Sequence, residues 1–313
     1  MSGVDVVVIG AGVIGLSTAI RLSEGGATTQ IVTADDPSAT TSVLATAMVG
    51  PTFGFSGPQV SSWEDETTRA FLQEPFAPGV HLCRGRFLAQ PAGFVPPGAE
   101  RLAGFALCQP EDLPNGYATG FWLELPLVDM PRYLAHLVER YEATGGKIER
   151  AALTSLDDAL DLAPRIANCS GLGARDLVPD PEVVPSRGPK IVVENPGLES
   201  FVVTPPGSEW TMFHPHGEVV VLGGSATPSA DTRPDPEEEA AIIERCAAIE
   251  PRLRDARVLE HAVGLRPERP TVRLEIEQRG AVRIVHNYGH GGLGVTLSWG
   301  CAKAAADLML GNS

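Results

Sequence analysis

Residues 4–22 read VDVVVIGAGVIGLSTAIRL, and few patterns restrict a fold so tightly. Val6 to Ile9 form a continuous apolar run, as expected of a strand buried on both faces of a parallel sheet. The turn Gly10–Ala11–Gly12–Val13–Ile14–Gly15 follows at once and spells G-x-G-x-x-G. Gly10 permits the tight turn, Gly12 lets the backbone approach a pyrophosphate, and Gly15 lets the next helix pack on the strand. Leu16, Ala19, Ile20 and Leu22 give that helix an apolar stripe, and Gly25 to Ala27 end it. A second strand is expected over 30–34, stopping at Asp35. An acid at this place accepts hydrogen bonds from an adenosine ribose. No arginine stands beside Asp35 and Asp36, which argues against a 2′-phosphate.

The glycine pattern by itself fits either FAD or NAD. Thr40, Thr41 and Ser42 form a hydroxyl cluster after the second strand. It serves phosphates or flavin edges, or is only a polar turn. Ala45 to Ala47 are small, as close approach to a flat ring requires.

Two C-terminal segments add a second theme. GLRPERPTVRLE (264–275) holds Arg266 in an apolar setting, and a buried guanidinium needs an anionic partner. HNYGHGGLGVTLSWG (286–300) is a glycine-rich turn feeding into a helix, whose N-terminus attracts negative charge. Together they suggest a carboxylate site beside the cofactor.

Composition narrows the function classes. The net charge of -15 disfavours nucleic acid and anionic membrane surfaces as partners. The five cysteines are odd in number and form no C-x-x-C pair, which fits reduced thiols in a cytoplasmic protein. No apolar run reaches transmembrane length, no signal peptide is recognisable, and the ending Leu310–Gly311–Asn312–Ser313 is not a peroxisomal tripeptide.

Along the chain, 50–120 is rich in proline, glycine and aromatics with weak periodicity. A short helix is expected over 63–72, an amphipathic helix over 130–141 and a strand over 148–153. A buried strand over 165–171 ends in small residues. Antiparallel strands are expected over 201–204 and 218–222. Asp235–Pro236–Glu237 reads as an N-cap with proline at the first helical position, opening a helix to about Ile249.

Taken together, VVVIGAGVIGLSTA, ADDPSATTS, ANCSGLGARDL, PSRGP, GLRPERPTVRLE and HNYGHGGLGVT resemble the FAD-dependent D-amino-acid oxidase family over nearly the whole chain. The resemblance implies an α/β fold. A discontinuous Rossmann-like FAD-binding domain (1–50, 130–186, 255–313) would carry an inserted antiparallel α+β substrate-binding domain (51–129, 187–254). It implies non-covalent FAD, with oxygen as acceptor. D-Amino acids, neutral or apolar ones, would be oxidised to imino acids that hydrolyse to 2-oxo acids and ammonia, with hydrogen peroxide released. No side chain does acid–base work at the α-carbon, so catalysis is mostly positioning.

By this resemblance Arg266 holds the substrate carboxylate in a bidentate fork, against the plainer reading of an ion pair with Glu268 or Glu275. Arg269 and Arg273 are at hand for those carboxylates. The Gly292 carbonyl receives the amino group. Gly291, Gly292, Leu293, Gly294, Val295 and Thr296 form the turn and helix start at the pyrimidine end of the flavin. Thr46, Ala47, Leu153, Ser170 and Gly171 complete the expected cofactor contacts. His286 and His290 read as satisfied histidines in a turn rather than metal ligands.

The chain also departs from the family. A Y-x-x-P tyrosine is usual on the active-site loop, yet Met212 stands three residues before Pro215. The loop over 204–212 looks short, and Trp210, Phe213 or His214 are candidates to line the pocket instead. Gly50 and Thr52 stand where a glutamine and an aromatic are frequent. Two other readings remain open: a related amine or imino-acid oxidase acting on glycine, D-aspartate or a secondary metabolite, and a flavin-binding protein with little turnover. D-Aspartate would need a second cation, which only His214 or His216 could supply, and weakly.

Overall fold

A computed structural model describes residues 3–52, 57–205, 207 and 209–311. Asn312 and Ser313, and positions 206 and 208 of the expected active-site loop, lie outside the described residues. The chain opens with β1 (Val6–Ile9), α1 (Val13–Glu24), β2 (Thr29–Thr33) and β3 (Ala47–Met48). It continues through α2 (Pro58–Gln73), β4 (Val80–Ala89), β5 (Ala106–Leu107) and β6 (Thr119–Val128). Next come α3 (Met130–Ala143), β7 (Lys147–Arg150), β8 (Arg165–Asn168), α4 (Ala174–Leu177) and β9 (Val184–Glu194). The remainder is β10 (Phe201–Val203), β11 (Glu209–His216), β12 (Val219–Ser225), β13 (Thr227–Pro228), α5 (Pro236–Ile249), β14 (Val258–Glu268), β15 (Arg273–Arg279), β16 (Val282–Tyr288) and α6 (Gly294–Leu310).

The first sheet runs β15-β16-β8-β1-β2-β7. It is parallel apart from the β15–β16 hairpin. All four residues of β1 are buried, as its unbroken apolar run requires. From β1 the chain moves through α1 to β2 on one side, and β8 later joins the other side. The strand order reverses beside β1, which opens a ligand crevice at the carboxyl ends of these strands.

Helix α1 packs closely because of Gly15, where an added Cβ would overlap the Gly10 carbonyl. Helix α6 crosses α2 equally closely at Gly300, where a Cβ would overlap the Trp63 backbone. The Gly300 N–H donates to Thr67 Oγ1 at 2.9 Å, and Trp299 Nε1 donates to the Tyr133 hydroxyl at 2.9 Å. These bonds fix the helix whose start faces the crevice.

The second sheet runs β13-β9-β12-β11-β10-β4-β6-β3, with β14 added to β9 and β5 to β6. It is not wholly antiparallel as expected: β10 runs parallel to β4. Gly85 makes that pairing possible, since a side chain there would overlap the Phe201 ring. The 50–120 segment supplies the long strand β4, which its weak periodicity hid, and β6 begins at its end. Two strands tie the sheets together. β3 follows the first sheet's opening unit and pairs with β6, and β14 pairs with β9 from Val258 to Glu268.

Most local expectations hold within a residue or two. The helix expected over 63–72 starts earlier, at Pro58. The strand expected over 148–153 stops at Arg150, because its partner β2 ends at Thr33. Asp235 caps α5, accepting the N–H groups of Glu237 at 3.0 Å and Glu238 at 3.4 Å. No helix among the described residues is long and apolar enough to cross a membrane.

Candidate active site

A cavity of about 960 Å³ extends from the glycine turn after β1 to the start of α6 and on to the face of the second sheet. Every expected cofactor residue lines it except Gly15, which sits beneath the turn as a packing residue. Arg266, Gly292 and Met212 line it as well.

The turn after β1 is built for glycine. Gly10 has φ +99°, and a Cβ there would stand 2.6 Å from the Cys169 carbonyl oxygen. Helix α1 starts at this wall, so its positive end faces the cavity. Asp35, exposed just beyond β2, lines the cavity, whereas Asp36 instead accepts the Ser38 N–H at 2.9 Å. The hydroxyl cluster is partly committed to the protein. Ser42 Oγ accepts the Val13 N–H at 3.0 Å, and Thr40 Oγ1 donates to the Pro37 carbonyl at 2.9 Å. The start of α6 forms the opposite wall.

Two buried polar atoms at this wall lack partners among the described residues. Asn287 Nδ2 donates to Thr18 Oγ1 at 3.1 Å, which leaves Oδ1 unpaired. His290 Nε2 is also unpaired, and burial pushes that imidazole down to about 3, so it is neutral. Buried orphans beside a cavity are accounted for by a polar ligand. The glycine cradle, two helix starts, Asp35 and these orphan atoms fit a dinucleotide. His290 therefore departs from the satisfied histidine expected. His286 matches it: Nδ1 lies 3.2 Å from Asn168 Nδ2, and Nε2 lies 2.8 Å from Glu277 Oε2. No group of metal-ligating side chains occurs among the described residues.

Arg266 projects from β14 into the same cavity. Its Nη1 donates to the carbonyls of Arg187 and Ser225, each at 3.2 Å. Its Nε and Nη2 donate to no protein group among the described residues. Burial lowers its pKa, but a guanidinium remains charged at any physiological pH. The free Nε–Nη2 edge is the geometry that grips a carboxylate with two parallel bonds. A Cβ on Gly292 would lie 3.4 Å from Arg266 Cδ and 3.6 Å from Nε, so the turn and the fork are neighbours.

The plainer reading of Arg266 fails among the described residues, where it has no ion pair. Arg273 Nε pairs with Glu275 at 2.7 Å, as expected. Arg269 does not take Glu268; its partners are Asp180 at 3.2 Å and Glu182 at 2.5 Å. Glu268 stays beside the cavity, close to Gly291.

Of the candidates to replace the absent tyrosine, Trp210 lines the cavity, with its ring centroid 5.9 Å from Arg266 Cζ. Phe213 and His214 do not line it: Phe213 alternates onto the other face of β11, and His214, two residues beyond Met212, is buried against the Phe201 ring. Among the lining residues the one tyrosine is Tyr288. Its hydroxyl is occupied, donating to Asp180 Oδ2 at 2.7 Å and accepting from Arg273 Nη1 at 2.6 Å. His214 and His216 supply no cation either: burial depresses them to about 3 and about 4. Sequence reasoning missed Gly188, Asn287 and the two carbonyls that hold Arg266.

Comparison with known proteins agrees with this geometry. A family model described as FAD-dependent oxidoreductase matches residues 5–308. A D-amino-acid oxidase of Rubrobacter xylanophilus is 45% identical, over 96% of this chain and 94% of that protein. One of Streptomyces coelicolor is 42% identical, over 97% and 96%. Among solved structures, glycine oxidase from Bacillus cereus superposes with a TM-score of 0.80 at 18% identity, over 99% of this chain and 96% of that one. A dinucleotide cradle, an arginine fork across the same cavity and a family match over nearly the full length lead to one conclusion: the chain belongs to the FAD-dependent oxidoreductase family.

Proposed function

We propose that the chain oxidises D-amino acids to 2-oxo acids, releasing ammonia and hydrogen peroxide. The observation that carries this reading is the unpaired Nε–Nη2 edge of Arg266, which opens on a cavity that also holds a dinucleotide cradle. The names of the two bacterial relatives support it. The chemistry a bound flavin supplies there is two-electron oxidation of the substrate's Cα–N bond to an imine, with oxygen as the final acceptor.

The chain's own groups bind and orient. Arg266 holds the substrate carboxylate through its free edge. The Gly292 carbonyl, beside the same guanidinium, accepts from the amino group. Two fixed groups and the cavity wall leave one direction for the α-hydrogen, which selects one enantiomer. Met212 and Trp210 supply an apolar wall where a phenol is absent, so the substrate side chain meets little polarity. Water adds to the released imine, giving the 2-oxo acid and ammonia.

A neutral side chain suits this pocket. Among the described lining residues Arg266 is the one permanent cation, and Glu268 stands nearby on the same strand. A second substrate carboxylate would meet repulsion rather than a partner, which disfavours D-aspartate. The division into a discontinuous cofactor domain and an inserted lobe belongs to this proposal, with β3 and β14 as the strands that join them. Five free cysteines fit a cytoplasmic setting. The test is anaerobic mixing of purified protein with D-alanine. The visible flavin absorbance should bleach, and air should restore it. A flavin signal indifferent to every neutral D-amino acid would reject the proposal.

A further inference from the structure

We infer that Glu238 of α5 is a positioning residue for the Arg266 fork, and so sets the affinity of the site for carboxylates. The inference rests on the substrate reading above. Arg266 Nη1 is held by two carbonyls, those of Arg187 on β9 and Ser225 on β12, each at 3.2 Å. The side chains of these same two residues meet at one carboxylate. Arg187 Nη2 lies 3.0 Å from Glu238 Oε2, and Ser225 Oγ donates to Glu238 Oε1 at 2.7 Å. Glu238 thus bridges the two strand ends whose carbonyls grip the guanidinium.

The bridge sits where it is stiff. The side chains of Arg187 and Glu238 are 11% and 22% exposed, and Ser225 is buried at 5%, so solvent competes weakly for these bonds. Glu238 lies in the first turn of α5, with its N–H capped by Asp235. A carboxylate there is also favoured by the helix dipole. Arg187 Nη2 donates further to the Arg233 carbonyl at 3.2 Å, which pins it from a second side. A fork that is fixed before the ligand arrives loses little freedom on binding. With Glu238 removed, the side-chain link between Arg187 and Ser225 is lost, and only the backbone pairing of β9 with β12 and β13 remains. The two acceptor carbonyls are then held less firmly, and Arg266 loses part of its order before the ligand arrives.

The experiment compares Glu238→Ala, Glu238→Gln and Ala240→Gly as full-length FAD-loaded enzymes. Ala240 is exposed on the same helix, so Ala240→Gly weakens α5 without touching the bridge. Two readouts are taken: KM and kcat for D-alanine, and the dissociation constant of benzoate, used as a plain carboxylate probe and followed by the flavin spectrum. Glu238→Ala should raise KM and the benzoate constant together, about tenfold or more, with kcat changed far less. Glu238→Gln keeps the acceptor for Ser225 and should fall in between. Ala240→Gly should leave both constants unchanged. In an Arg266→Ala background, Glu238→Ala should add nothing, since coupled residues are non-additive. Unchanged constants in Glu238→Ala, equal effects in Ala240→Gly, or full additivity with Arg266→Ala would each overturn the inference. A wild-type enzyme inert toward D-amino acids that still shows the benzoate pattern would reject the substrate reading and keep the positioning role.

Discussion

The Nη1–Nη2 end of the Arg266 guanidinium packs against the α-carbon of Gly188. A Cβ at that glycine would overlap Nη1, Nη2 and Cζ together, so the absence of a side chain on β9 is what gives the fork its seat. Gly188 faces Gly264 across the β9–β14 ladder, two residues from Arg266. Gly188→Ala should therefore displace the guanidinium and leave the sheet intact. KM for D-amino acids should rise at least about tenfold, which is about 1.4 kcal/mol. FAD content and thermal stability should change little. Steady-state kinetics with a flavin-to-protein ratio checks this.

Arg266→Ala removes the fork itself. Losing one partner of a desolvated charge pair typically costs about 2–5 kcal/mol. The variant should fold, stay yellow and lose that much in kcat/KM. Arg266→Lys should recover only part, since an ammonium cannot make two parallel bonds. Near-normal kcat/KM in Arg266→Ala would remove the anchor role.

Gly12→Val addresses the cofactor. A Cβ at Gly12 would come 3.0 Å from Ser42 Oγ, which closes over the start of α1. A branched side chain pushes Ser42 away and blocks the backbone approach to the pyrophosphate. The wild type should release intact FAD on denaturation, with no flavin left attached to the chain. Gly12→Val should purify with little flavin and a lower melting temperature than the FAD-loaded protein, because bound ligand stabilises the folded state.

Acid should destabilise the second sheet. Burial depresses His214 to about 3 and His216 to about 4, from an ordinary value of 6.5. His81, with its ring 5.2 Å from that of His216, and Lys190 oppose protonation further. A depressed histidine binds its proton in the unfolded chain first. Its contribution is therefore present above pH 6.5 and is lost as pH falls toward 4 and 3. The unfolding free energy should drop by on the order of a few kcal/mol between pH 7 and pH 4. Both ring nitrogens of His214 are buried without partners among the described residues, and the ring stands edge-on to Phe201. His214→Phe should raise stability and flatten the pH slope. Urea titrations at several pH values measure both.

The parts of this molecule set by local pattern were legible in its sequence. Val6–Ile9 with Gly10, Gly12 and Gly15 fixes a strand, a turn and a helix by neighbours a few residues apart. Asp235–Pro236 fixes the start of α5 in the same way. The parts set by distant pairing were not. The parallel pairing of Phe201 with Gly85 depends on a ring filling the space above a glycine 116 positions away, as the Phe201–Gly85 register shows. Arg266 was legible as a candidate because an arginine in an apolar segment needs a partner. Its supports were not, because a backbone carbonyl carries no residue-type signal. His214 shows the reverse error: its place near the expected loop suggests the pocket, whereas it lies two residues further along β11 than Met212 and is buried there against Phe201, a residue distant in sequence. His290 departs from its reading because a turn histidine is usually satisfied locally, and here burial beside the cavity leaves Nε2 without a partner among the described residues.

The most direct test of the central claim is hydrogen peroxide release from the FAD-loaded enzyme with matched D- and L-amino acids, run beside Arg266→Ala. The Arg266 fork and the Gly292 carbonyl fix one handedness at the α-carbon. Neutral D-amino acids should yield peroxide and the corresponding 2-oxo acid in equal amounts, their L-enantiomers should yield neither, and Arg266→Ala should abolish most of the signal. Equal rates on both enantiomers, or peroxide from D-amino acids that is indifferent to Arg266, would contradict the account.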